Sequence, residues 1–183
     1  MRVIAGELGG RRLQAPKGDT TRPTSDRVRE ATFNALGSLG AVEDATVLDG
    51  FAGSGALGIE ALSRGAAHCL FVERDRPALE ALRANLEALG LGSDRATVVA
   101  GDLTTVTGRW DLALLDPPYG YDGWNPLLSG LDAELAVCET ARPIEPPHPW
   151  VLVREKAYGA TVVTILQRQM PHHVPHDTEE GTG

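Results

Sequence analysis

Apolar and polar positions change their period several times along the chain, and each change marks an element. From about Ser25, the residues Val28, Ala31, Thr32, Ala35 and Leu36 recur at helical spacing, which predicts a helix to about Ser38. Before it, residues 1–17 carry short apolar stretches broken by Gly6, Gly9, Gly10 and Pro16, the pattern of a small β-hairpin, followed by a capping turn over 20–24. Beyond residue 39 the pattern alternates, with strands predicted at 46–51, 68–73, 96–100, 111–116 and 150–154 and helices at 55–64, 76–89 and 124–138. Such alternation predicts right-handed βαβ crossovers and therefore an α/β fold with a doubly wound, mainly parallel sheet. Ligands of these sheets bind beyond the carboxyl ends of the strands. The polar residues expected there are those of 49–55, Glu73, Asp102 and 116–119.

The 183 residues suffice for one domain with a full core. We divide them into an N-terminal arm (1–38), a catalytic domain (39–168) and a disordered tail (169–183), apolar content falling away from Gln167 onward. His172, His173 and His176 in that tail read as a solvated cluster, and no metal site is expected. No apolar run approaches a membrane span and no signal peptide is visible, so a cytoplasmic protein is expected. Cys69 and Cys138, in apolar surroundings, read as buried free thiols.

Charge divides the chain. The formal net is −8, yet residues 1–36 carry seven basic side chains against four acidic ones, a local +3 that leaves −11 for the rest. A basic segment on an acidic body reads as a substrate arm on a catalytic domain.

Two loops carry the candidate chemistry. Asp116-Pro117-Pro118-Tyr119 follows an apolar run. Proline lacks an N–H and has a fixed φ, so its carbonyls are free to accept. Asp116 and the Pro117 carbonyl could both accept from the exocyclic amino group of a base, and Tyr119 offers it a stacking surface. In the other loop, Gly53, Gly55 and Gly58 match G-x-G-x-x-G, with Glu73 about 20 residues on, a pattern shared with dinucleotide sites. Asp49 in that turn would repel a pyrophosphate but could serve the cationic amino-acid end of S-adenosylmethionine, while Asp102 is suited to an adenine amino group.

With these loops and the stretch Thr21-Arg22-Pro23-Thr24-Ser25-Asp26-Arg27-Val28-Arg29-Glu30 in place, the chain resembles the class I S-adenosylmethionine methyltransferases. Within them it resembles the RsmD family of small-subunit (16S) ribosomal RNA (guanine-N2)-methyltransferases, closely over 1–122 and loosely over 150–168. The resemblance implies a seven-stranded Rossmann-like sheet. It assigns Asp49, Ala52, Gly53, Ser54 and Gly55 to the methionine end of the cofactor, Glu73 to the ribose and Asp102 to the adenine. Asp116, Pro117, Pro118 and Tyr119 would hold the target guanine, Asp116 also lying against the cofactor. Arg2, Arg11, Arg12, Arg22 and Arg27 of the arm would contact RNA, the substrate would be small-subunit ribosomal RNA either naked or within a partly assembled subunit, and the protein would act as a monomer.

Two departures from the family pattern carry expectations of their own. Gly50 replaces an apolar residue and is expected to loosen the loop. The short path from Val151 to Thr161 requires a tight final hairpin or a displaced last strand. Other readings compatible with the residues are an amino methyltransferase acting on adenine or cytosine of DNA, a dinucleotide-dependent oxidoreductase, and an inactive RNA-binding assembly factor.

Overall fold

In chain order, a computed structural model describing residues 1–16 and 25–169 gives α1 (Asp26–Ser38), β1 (Thr46–Asp49), α2 (Ala56–Ser63), β2 (His68–Glu73), α3 (Arg76–Leu89), β3 (Ala96–Ala100), β4 (Trp110–Leu115), α4 (Trp124–Gly130), β5 (Ala133–Thr140), β6 (Trp150–Tyr158) and β7 (Thr161–Arg168). The turn at 20–24, Arg22 and the histidines of the tail lie outside the described residues. The strands form one sheet in the order β3-β2-β1-β4-β5-β7-β6, parallel except for β7, which runs antiparallel to both neighbours. This is the doubly wound α/β sheet of seven strands that pattern and resemblance together led to.

Local chemistry accounts for most of the elements. Ser25 caps α1 by accepting from the Val28 N–H, and Asp75 caps α3 by accepting from the Ala78 N–H. Gly90 ends α3 in the left-handed conformation. The strands β1 and β4 form the middle of the sheet, where Val47, Leu48, Leu112, Ala113, Leu114 and Leu115 are buried against the helices of both faces. Cys69 and Cys138 are buried free thiols.

Two expectations need correction. The helix predicted over 124–138 stops at Gly130, and its second half is the strand β5. Ala133, Glu134, Leu135 and Ala136 are good helix formers, but the place between β4 and β7 supplies backbone partners and buries Ala136, Val137 and Cys138, so tertiary pairing overrides propensity. Gln167 and Arg168, where composition begins to look like a tail, complete β7, with Arg168 donating to the Leu131 carbonyl and pairing with Asp132 at 2.7 Å. The final hairpin is tight: Tyr158 pairs with Thr161 across Gly159, whose φ is +63°.

The N-terminal segment folds back on itself as a short hairpin: Arg2 bridges Arg12 antiparallel, and the Val3, Gly10 and Leu13 N–H groups donate to the Arg11, Val3 and Met1 carbonyls at 2.9 to 3.0 Å. It is fastened to α2 by buried polar groups. Glu60 of α2, fully buried, accepts from the Ile4 and Ala5 N–H groups at 2.7 and 3.1 Å and pairs with Arg64 at 2.6 Å. Ser63 accepts from the Leu8 N–H, and its carbonyl accepts from the Glu7 N–H at 2.8 Å. Arg29, also fully buried, pairs with Asp26 and Glu60 and donates to the Arg2 carbonyl. Gly6 passes so close to α2 that a Cβ there would lie 1.8 Å from the Ser63 carbonyl oxygen, at a φ of +82°. Gly6→Ala is therefore expected to cost at least about 2 kcal/mol through overpacking and backbone strain. Urea unfolding checks this, and a variant as stable as the parent would contradict the docked arrangement.

Candidate active site

The site stands where β1 to β4 end. Asp49 closes β1, Glu73 closes β2, and Asp102 and Asp116 follow β3 and β4, so four acidic residues stand at the ends of four adjacent strands. Their surroundings differ, and with them their chemistry.

Asp49 is only 1% exposed. One carboxylate oxygen accepts from the Gly58 N–H at 2.8 Å in the first turn of α2, and the other is buried with no hydrogen-bond partner. Burial pushes its carboxyl up to about 7; the Gly58 N–H opposes the rise, and the charges of Asp116 and Glu73 add to it. A buried carboxylate with an unused oxygen and two acidic neighbours suits a cationic ligand group and penalises an anionic one.

The glycine loop surrounds it. Gly53 and Gly55 have φ of +55° and +84°, and a Cβ on Gly53 would meet nothing within 4 Å, which leaves the backbone there open to a ligand. Gly58 has the packing role instead: a Cβ would sit 2.3 Å from the Phe71 ring and 2.6 Å from the Cys69 sulfur. Gly50 leaves no gap, contrary to the expected loosening, because Leu103 and Leu115 methyl groups lie 2.8 Å from where its Cβ would be. Ala52 and Ser54 are buried within the loop. Glu73 orients the loop by accepting from the Gly53 N–H at 2.8 Å, while its other oxygen accepts from the Arg74 and Asp75 N–H groups.

Asp102 is more exposed and already engaged. One oxygen accepts from the Thr104 N–H and hydroxyl, and the other pairs with Arg74 at 3.2 Å. The Thr104 hydrogen bonds, followed by the Arg74 charge, hold its carboxyl below the usual range.

In the Asp-Pro-Pro-Tyr loop, Asp116 and Pro117 are half-buried, Pro118 is exposed and Tyr119 is 70% exposed. The Tyr121 N–H donates to the Pro118 carbonyl at 3.2 Å and Gly120 takes a φ of +82°, so the chain turns back and leaves the Tyr119 ring standing out. Tyr121 joins this loop to the glycine loop: its ring meets Phe51 edge-on at 5.5 Å and Trp124 at 5.4 Å. Sequence analysis gave Phe51, Tyr121 and Trp124 no role in the site, because single aromatics at the edges of elements carry no periodic signal.

The arm's arginines divide into groups. Arg12 and Arg27 are exposed. Arg2 lies 3.6 Å from Asp26, and Arg11 donates to the Ala88 carbonyl at 2.8 Å from an exposed position.

Comparison with known proteins sets this geometry in a family. The family described as conserved hypothetical protein 95 matches residues 1–167. Ribosomal RNA small subunit methyltransferase D of Escherichia coli is 35% identical over 187 residues, covering 92% of this chain and 90% of its own. The solved structure of the Escherichia coli protein yhhF superposes with a TM-score of 0.80 at 38% identity, covering 92% of this chain and 98% of its own. At 14% identity, magnesium protoporphyrin IX methyltransferase of Synechocystis, solved with bound SAM, shares the fold with a TM-score of 0.65 over 78% of this chain and 79% of its own. From arm to β7, then, the chain belongs to the conserved hypothetical protein 95 family, the RsmD family of methyltransferases.

Proposed function

We propose that this protein transfers a methyl group from S-adenosylmethionine to the N2 amino group of one guanine in small-subunit (16S) ribosomal RNA. The observation that supports the reading is the meeting of the two loops through the Phe51 and Tyr121 rings, which brings the Asp-Pro-Pro-Tyr turn close to the glycine loop. The cofactor, when bound, supplies an electrophilic methyl group. Asp49 and the 52–55 backbone hold its amino-acid end, Glu73 its ribose and Asp102 its adenine. Asp116 and the Pro117 carbonyl accept the guanine amino hydrogens, which localises the nitrogen lone pair, and Tyr119 stacks on the extruded base. Positioning supplies much of the rate enhancement, since holding reactants in line replaces a bimolecular encounter.

The exposed arginines of the arm, with Arg22, contact the RNA backbone, the protein acts as a monomer in the cytoplasm, and a partly assembled subunit is the substrate that a small basic arm on an acidic body fits best. Replacing Arg11 and Arg12 together by alanine is expected to weaken RNA binding and to lower the slope of log K against log salt by roughly one to two. Cofactor affinity should not change. Filter binding across a salt series checks this, and an unchanged slope would remove the arm from the RNA interface.

A further inference from the structure

Asn85 lies in α3, in the apolar stripe formed by Leu82, Leu86 and Leu89, and is 1% exposed. Its amide nitrogen donates to the Ser54 carbonyl at 2.9 Å and to the Gln14 carbonyl at 3.0 Å, and its oxygen accepts from the Gln14 N–H at 2.8 Å. Ser54 belongs to the glycine loop and Gln14 to the arm. Among the described residues, no other side chain joins these two segments by hydrogen bonds of its own.

We infer that Asn85 is a positioning residue that couples RNA binding on the arm to cofactor binding in the glycine loop. The inference rests on the reading proposed above for those two segments. A buried amide cannot give up one partner without leaving a polar group desolvated, so its three bonds hold or fail together. A shift of Gln14 therefore reorients the amide and moves the Ser54 carbonyl, between Gly53 and Gly55. Glu60 and Ser63 strengthen the connection, since both grip the arm from α2, the helix that the glycine loop opens. RNA seated on the arm and cofactor seated in the loop then favour the same arrangement, and each tightens the other by the same factor.

The test measures the affinity of S-adenosylhomocysteine, an unreactive probe, with and without small-subunit particles that lack their methylations. For the unmodified protein the particles are expected to tighten the probe about tenfold. Asn85→Ala should bring that ratio to about one. Gln14→Pro, which removes the arm's N–H donor at an exposed position, should lower it as well and serves where Asn85→Ala does not fold. A merely structural role would weaken the probe in both states and leave the ratio intact. A folded variant that keeps the full ratio, or an unmodified protein whose ratio is already one, overturns the inference. An unmodified protein that binds neither probe nor particles removes the underlying reading and the inference with it.

Discussion

Asp116→Ala is expected to cut methyl transfer by about 10²- to 10³-fold in kcat, the range seen when one preorganised polar contact to the reacting group is removed. Cofactor binding should survive the change. The Asp116 charge contributes to the raised carboxyl of Asp49, so its removal makes Asp49 easier to ionise and, if anything, favours a cationic ligand. Asp116→Asn, which keeps one carbonyl oxygen as an acceptor, should fall between the two. Single-turnover transfer and equilibrium binding separate these effects, and full activity in the alanine variant would rule out the role given to Asp116.

Asp49→Asn should move stability and binding in opposite directions. The Asp49 carboxyl is raised from 3.8 to about 7 on folding, so between those values the native state holds a proton that the unfolded chain has lost. Through this group stability falls as pH rises from about 4 to about 7 and stays low above that, by an amount of the order of 4 kcal/mol. Asparagine can still accept from the Gly58 N–H and carries no charge to bury. The variant should therefore be the more stable protein at pH 8, and the difference should shrink as pH falls toward 4. Its cofactor affinity should drop at least about 30-fold, roughly 2 kcal/mol for a lost hydrogen bond to a charged group. In the parent, affinity should rise with pH up to about 7, because binding a cation expels the proton. Urea unfolding and calorimetry over pH 5–8 check both halves, and a variant that loses stability at pH 8 would contradict the assignment of Asp49 as a strained buried acid.

The catalytic half of the molecule is legible in the sequence because its signals are local. Strand, glycine turn and helix are consecutive between Thr46 and Ser63, and the Asp-Pro-Pro-Tyr turn follows β4 directly. Where identity depends on distant partners, reading falters. β5 looks helical because Ala133 to Ala136 favour helix, and only β4 and β7 on either side make it a strand. Arg29 counts as a basic residue of the arm in sequence, yet it is fully buried and pairs with Asp26 and Glu60. Glu60 and Asn85 did leave a trace: each is a polar residue inside an apolar stripe of a helix, which marks a buried group with a partner elsewhere. Each has a partner in the backbone of the arm, more than 50 residues away in sequence, and no spacing encodes that contact.

The central claim is the identity of the methyl acceptor. Purified protein incubated with labelled S-adenosylmethionine and small-subunit particles lacking their methylations, followed by digestion and mass spectrometry, should yield one labelled nucleotide, N2-methylguanosine. Label on another base, or on DNA in preference to the particles, would contradict it.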